Sequence, residues 1–342
     1  MKRVVCFGEI MMRLNPKGYL RFVQAKEFEA TFSGGEANVA VSLANFGLDS
    51  AYVTKVPTHE IGQNAVNELR RFGIDTSGIL RGGKRLGAYF VEKGASQRAS
   101  KVIYDRAGSA IAEVGAGEFD WEKLLKGADW FHTTGITPAL SENAANATIE
   151  AVKTAKKLGV TVSCDLNYRK NLWTRDRAKE VMTEVCQYVD VCIANEEDAS
   201  DVFGIKAEGS DVTKGELSHD GYISVAKLLS EKFPFKKVAI TLRGSISASD
   251  NHWSGMLYDT ADGKAYFAPE YTVHIVDRVG GGDSFGAGLI YSTLNGFENQ
   301  RAVNFAVAAS CLKHSIEFDF NLMNVAEVEA LAGGDASGRV QR

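Results

Sequence analysis

The alternation of short, uniformly apolar runs with amphipathic helical patterns constrains this chain more than any other feature. From about Gly115 onward, apolar β-branched runs at Val160 to Cys164, Val189 to Ile193 and Val238 to Leu242 are separated by helical patterns at Glu142 to Leu158, Arg175 to Tyr188 and Tyr222 to Phe233. Within the first helix Ile149, Val152, Ala155 and Leu158 recur at near-helical spacing. A strand that is apolar on both faces must be covered on both, and helices between successive strands supply that cover. The pattern predicts an α/β fold, a three-layer αβα sandwich around a mainly parallel sheet. Ligands of such sheets bind beyond the carboxyl ends of the strands. A length of 342 residues suits one large domain or a core with an appendage.

The first hundred residues read differently. Glu27 to Phe32 alternates, with Phe28, Ala30 and Phe32 on one side. Gly87 to Glu92 and Lys101 to Arg106 predict a hairpin around the Lys93 to Ser96 turn, with Val102, Tyr104 and Arg106 on one face. A small antiparallel β-sheet lid on the core is therefore expected. The expected division is a core of residues 1–11, 34–84 and 111–332, and a lid of residues 12–33 and 85–110. Ala207 to Gly221 reads as a polar surface excursion, and residues 333–342 as a flexible tail.

Charge excludes some partners. With 39 Lys and Arg against 43 Asp and Glu, the net charge is −4, which gives no reason to bind nucleic acid or an anionic membrane. Five cysteines without CxxC spacing point to a reducing, cytoplasmic setting and to neither a disulfide framework nor a zinc site. The apolar run at the N-terminus is broken at Glu9 and Arg13, so neither a signal peptide nor a membrane span is expected. The six histidines lack metal-ligand spacing, and neither a GxSxG elbow nor a GxxxxGK[ST] loop occurs.

The segment Ile275 to Leu289, IVDRVGGGDSFGAGL, carries the strongest chemical signal. Gly280, Gly281 and Gly282 precede Asp283 at the start of a helical run. Glycines let backbone N–H groups approach a ligand, and a helix N-terminus favours an anion. A carboxylate beside a phosphate cradle calls for a chemical reason, and accepting the proton of an attacking hydroxyl is one. A corner whose glycines serve packing alone is the bland alternative for a lone glycine loop. Other polar clusters follow predicted strands: Asp165, Asn167 and Arg169; Asn195 to Asp198; Thr241 and Arg243; and Ser33 to Asn38 precedes a helical run from Val39 to Phe46. Taken singly, each has an ordinary explanation. Asn195 reads as an N-cap with first-turn acids, Arg169 as a surface charge, Tyr104 with Arg106 as an amphipathic strand face, and Ser33 to Asn38 as a turn and cap. Their common position on one sheet edge favours a site.

Together these residues resemble the PfkB (ribokinase-like) family of carbohydrate kinases over about Lys2 to Leu331. Asp277-Arg278-Val279-Gly280-Gly281-Gly282-Asp283 is similar to the family's DTxGAGD signature; Gly34, Gly35 and Asn38 are similar to its N-terminal glycine pair and asparagine; Val56 to Thr76 is similar to its GxDxxG region. The phrases GEIMMRL, GASQRASKVIYDRAGSAI, DLNYRKNLW, ANEED and HIVDRVGGGD look most like the 2-keto-3-deoxygluconate kinases of that family. The resemblance implies a ribokinase-like fold and ATP-dependent phosphorylation of a keto-deoxy acid sugar at its terminal hydroxyl. It implies Asp283 as base, with Gly280, Gly281 and Gly282 as anion hole. Gly34, Gly35, Asn38, Tyr89, Tyr104, Arg106 and Arg169 would hold the sugar. Asn195, Thr241 and Arg243 would lie along the nucleotide, and Asp198 in a Mg²⁺ network. Arg106 and Arg169 suit a substrate carboxylate. Two expectations concern the loop itself: the helix dipole should lower the pKa of Asp283, and glycine at 281, in place of the family's usual alanine, should be tolerated while adding backbone freedom. Arg278 and Val279 stand where threonines are common, which leaves open the monovalent-cation site that some relatives have near this loop. A fructokinase- or ribokinase-like activity, or a non-catalytic sugar sensor, are the alternatives. The expected partners are the acid sugar, ATP and a second copy bound through the lid.

Overall fold

A computed structural model describes residues 1–195, 197–206 and 219–335. Its strands, in chain order, are β1 (Arg3–Phe7), β2 (Met11–Asn15), β3 (Glu29–Ser33), β4 (Asp49–Val56), β5 (Ile79–Arg81), β6 (Gly87–Glu92), β7 (Lys101–Asp105), β8 (Trp130–Thr134), β9 (Thr161–Asp165), β10 (Val191–Ala194), β11 (Lys237–Ser245), β12 (Asp250–Asp259), β13 (Lys264–Phe267) and β14 (Tyr271–His274). Ten form the large sheet in the order β13-β12-β11-β10-β9-β8-β1-β4-β5, with β14 also on β12. From β11 to β5 the pairing is parallel, and the β12 edge pairs antiparallel with β11, β13 and β14.

Both faces of the sheet are buried. In β1, Val5 and Phe7 enter one core with Phe131, Val162 and Trp121, while Val4 and Cys6 enter the other with Phe285 and Phe305. That is why these strands read as continuous apolar runs. The predicted helices appear at Glu142–Lys157, Arg175–Cys186 and His219–Lys232. The helix expected from Val39 begins earlier, at Gly35, so the glycine pair is its first turn. The strand expected to end at Leu242 continues to Ser245, because β12 extends its ladder to Asn251.

The second sheet has the order β3-β2-β6-β7. The expected hairpin is present as the antiparallel pair β6 and β7, and β2 pairs antiparallel with β3. The central pair β2 and β6 runs parallel, which a reading of separate strands does not anticipate. All five cysteines are free. Most of the predicted surface excursion, 207–218, and the tail beyond 335 lie outside the described residues. Among the described residues no helix is long and apolar enough to cross a membrane.

Candidate functional site

The carboxyl ends of β9, β10 and β11, the N-termini of the helices Gly35–Asn45 and Gly281–Leu294, and one face of the small sheet meet at a cleft of about 330 Å³. The cleft is lined by Gly34, Gly35, Asn38, Tyr89, Tyr104, Arg106, Arg169, Asn195, Thr241, Arg243 and Gly280 to Asp283. Val102, Tyr104 and Arg106 face it together, as their shared parity requires.

The glycine loop is fixed by its surroundings. Gly280 caps the helix with φ of 86°, and a Cβ there would fall on the carbonyl oxygen of Asp319. At Gly281 a Cβ would lie 2.6 Å from His314 Cε1, and the Gly281 carbonyl accepts a 2.6 Å bond from Ser310. An alanine at 281, the family's usual residue, would have to displace His314, because here the imidazole occupies the space a methyl group would need. Gly282 has nothing within 4 Å of a Cβ. At the facing helix, a Cβ on Gly34 would strike the backbone of Glu9, so glycine there is a matter of space.

Asp283 is partly buried between these two helix ends. Asn38 Nδ2 donates to Asp283 Oδ2 at 2.7 Å. Burial pushes the Asp283 carboxyl up to about 7, against the lowering by Asn38, with Asp319 and Glu36 adding to the rise and Arg169 opposing it. The expected dipole effect is thus outweighed by desolvation. A carboxyl at that value can exchange a proton at neutral pH, and this one is held by an amide and faces the open side of Gly35.

The sugar-side candidates are more heavily engaged than their sequence positions imply. Arg106 donates to Glu9 through Nε at 2.7 Å and again through Nη2, in a buried ion pair. The other carboxylate oxygen of Glu9 is buried without a partner. Tyr89 is buried, its hydroxyl donating to Asp319 at 2.6 Å and lying 2.5 Å from Ser33 Oγ, and its ring stacks on Tyr104. Tyr89 thus presents a ring, not a hydroxyl. Arg169 lies near enough to favour the charged forms of Asp165 and Asp283.

At the far end of the cleft Arg278 approaches Arg243. Burial and the charge of Arg243 lower the Arg278 guanidinium, whose Nε has no partner and whose Nη2 donates to the Ala248 carbonyl at 2.9 Å. Paired cations with an unpartnered donor suit an anion. Asn195 lines the cleft, and its Oδ1 accepts from the N–H groups of Glu197 at 2.8 Å and Asp198 at 3.0 Å. The helix itself is Asp198–Phe203 with Glu197 at its N-cap, so Asn195 forms a turn two residues ahead of the cap and not the expected N-cap. Asp198 does not line the cleft. Its oxygens accept from the Tyr168 N–H at 3.0 Å and the Asn195 N–H at 2.9 Å, so its visible role is to pin those two loops. Glu196 lies outside the described residues.

Asp165 lines the cleft, and its carboxyl is raised by burial and by the nearby charges of Asp198 and Asp283. A divalent cation would relieve that accumulation of carboxylates, so the residues fit Mg²⁺. Among the described residues no three His, Cys, Asp or Glu side chains form a ready metal cluster. That fits an ion held mainly by phosphates and water.

Sequence reasoning missed four groups. Glu36 is buried and accepts from the Thr134 and Thr137 hydroxyls at 2.8 and 2.6 Å. Arg13, on β2, is fully buried between Asp277, at 2.5 Å, and Asp319. Asp319 also takes the Tyr89 bond. Lys313 is fully buried with its ammonium on backbone carbonyls. A charge inside an apolar run, as in MMRLN or SCLKH, was the available signal.

The family model for pfkB carbohydrate kinases matches residues 1–315. A 2-dehydro-3-deoxygalactonokinase of Haloferax volcanii is 32% identical over 97% of this chain and 98% of its own. A 2-dehydro-3-deoxygluconokinase of Thermoproteus tenax is 30% identical over 92% and 89%. The crystal structure of a 2-dehydro-3-deoxygluconokinase from Thermotoga maritima superimposes with a TM-score of 0.94 at 50% identity, covering 98% of this chain and 100% of the other. With a partly buried carboxylate at a glycine-built helix N-terminus, beyond the strand ends of a mainly parallel sheet, the chain belongs to the pfkB family of carbohydrate kinases.

Proposed function

We propose that the protein phosphorylates 2-keto-3-deoxy-D-gluconate at its terminal 6-hydroxyl with ATP, giving 2-keto-3-deoxy-6-phosphogluconate. The partly buried Asp283 carboxylate, raised to about 7 at the mouth of the glycine loop and held by Asn38, carries this reading. Asp283 takes the proton as the hydroxyl oxygen attacks the γ-phosphorus, while Asn38 fixes which oxygen receives it. The loose transition state spreads charge over the transferring oxygens, and the N–H groups of the first helical turn are directed at that charge. Mg²⁺ supplies charge neutralisation between the phosphates. Thr241, Arg243, Arg278 and Asn195 form the nucleotide side. Arg169 meets the sugar carboxylate, Arg106 supports it from its pair with Glu9, and Tyr89 and Tyr104 form the wall. The small sheet acts as a lid that excludes water. The exposed edge of β7, where Ile103 is 53% exposed, pairs with a second copy. Buried reduced cysteines suit the cytoplasm.

A coupled ADP-release assay over 2-keto-3-deoxygluconate, its galacto epimer, fructose, ribose and gluconate tests the reading. The keto-deoxy acids are expected to turn over fastest, and Arg169→Ala to raise their KM. A second reading, a neutral-sugar kinase, is favoured by the Arg106–Glu9 pair, which already neutralises one guanidinium. Faster turnover of fructose or ribose, with KM indifferent to Arg169→Ala, would establish it instead. Sugar binding by calorimetry without ADP release from any of them would mark a sensor.

A further inference from the structure

Lys313 closes the helix Asn299–Lys313 and its side chain is fully enclosed. Its ammonium donates to the backbone carbonyl oxygens of Asp277 at 3.1 Å, Ile316 at 3.4 Å and Phe318 at 2.5 Å. An ammonium has three N–H donors, and each can be assigned a carbonyl. A compact unit charge ringed by backbone carbonyls is also the way proteins hold a dehydrated alkali ion.

The carbonyls come from two separate segments. Asp277 opens the glycine loop. Ile316 and Phe318, the latter in the left-handed region with φ of 63°, lead into Asp319, whose carbonyl oxygen backs Gly280. The ammonium therefore ties the loop to the segment that shapes it. Burial lowers Lys313 to about 8, with the charges of Asp277 and Asp319 opposing the fall, so the charged form prevails at neutral pH.

We propose that Lys313 is a built-in monovalent cation, filling the place beside the glycine loop that an alkali ion would otherwise take and freeing this kinase from potassium. The residues around Asp277 thus do not fit a bound potassium ion, because the cage already holds its charge. Lys313 is a positioning residue that touches no substrate and acts through the backbone of the loop. The inference rests on the kinase reading above.

The test compares choline, potassium and ammonium chlorides at constant ionic strength, following sugar-dependent ADP release and Tm. Wild-type activity is expected to be the same in all three. Lys313→Ala opens the cage and should lose roughly a hundredfold in kcat in choline, the lower end of the loss on removing an oxyanion donor. Potassium or ammonium should restore most of that loss and raise Tm. Lys313→Met, which plugs the cage without charge, should stay slow in every salt. A wild-type enzyme stimulated by potassium would overturn the proposal even if neither variant folds. So would an alanine variant fully active in choline, or a folded one whose rate and Tm ignore potassium. If wild type turns over no sugar in any salt, the kinase reading fails, while the Tm response of Lys313→Ala still reads the cage.

Discussion

The two walls of the cleft are held to different tolerances. Around the glycine loop, a carbonyl backs Gly280, an imidazole backs Gly281, and the Ser310 hydroxyl and Lys313 ammonium hold the backbone. On the opposite wall β7 is exposed at every residue, with Tyr104 44% exposed, and among the described residues pairs only with β6. Charge that develops in a transition state is stabilised only by donors already in place. A hydroxylated substrate can be gripped by an edge that adapts to it. Under the proposed function, the difference would assign rate to the loop and selectivity to the sheet.

The largest effect should come from Asp283→Asn. Turnover is expected to fall by at least about a thousandfold while sugar and nucleotide still bind, as calorimetry would show. Near-normal turnover would leave the loop a packing corner. In the wild type, kcat/KM should fall about tenfold per unit as pH drops below about 7, because the carboxyl becomes protonated. The sign for stability is opposite. A carboxyl raised from 3.8 to about 7 holds its proton in the native state where the unfolded chain releases it, so folding loses stability as pH rises between those values. Asp283→Asn should therefore melt higher than wild type above pH 7, a gain in stability at the expense of function.

Gly281→Ala probes the rigidity of the same wall with a smaller effect. Overpacking against His314 should cost about 1–3 kcal/mol in denaturant titration, and kcat should fall by roughly tenfold. Adding His314→Ala should recover part of both, a coupling that a double-mutant cycle would measure. Additive losses would mean that the imidazole is not what excludes the methyl group.

On the other wall the expected change is smallest. Ile103→Lys, on the outward face of β7, should convert a dimer to a monomer in sedimentation, with kcat altered by less than about twofold and KM raised. A dimer that persists would move the interface away from this sheet, and a large fall in kcat would erase the contrast between the walls.

What could be read from sequence followed the range of the interactions. Apolar runs and the hairpin parity of Val102, Tyr104 and Arg106 are local patterns, and the sheet order and the gathering of the strand-end clusters follow from them. The parallel pairing of β2 with β6 is not local and was invisible. So was the partner of Arg106, since Glu9 lies 97 residues away. The direction of the Asp283 shift was misjudged because a helix end is visible in sequence and burial depth is not. Asp198 looked like a metal ligand by motif, yet its carboxylate faces two backbone amides. Lys313 left only a charged residue within an apolar stretch, and its carbonyl partners carry no side-chain signature at all.

Arg13 has a consequence for how the molecule comes into being. Its guanidinium joins residues 264 and 306 positions further along the chain, Asp277 and Asp319, beneath the glycine loop. Contacts of such separation close late, after the loop-closure entropy of nearly the whole chain has been overcome. During synthesis β2 emerges long before either carboxylate exists, and its arginine then lacks a counter-charge. Catalytic competence is thus reserved for a chain whose two ends have met, and a truncated or half-folded copy carries the glycines and the aspartate without the brace that aligns them.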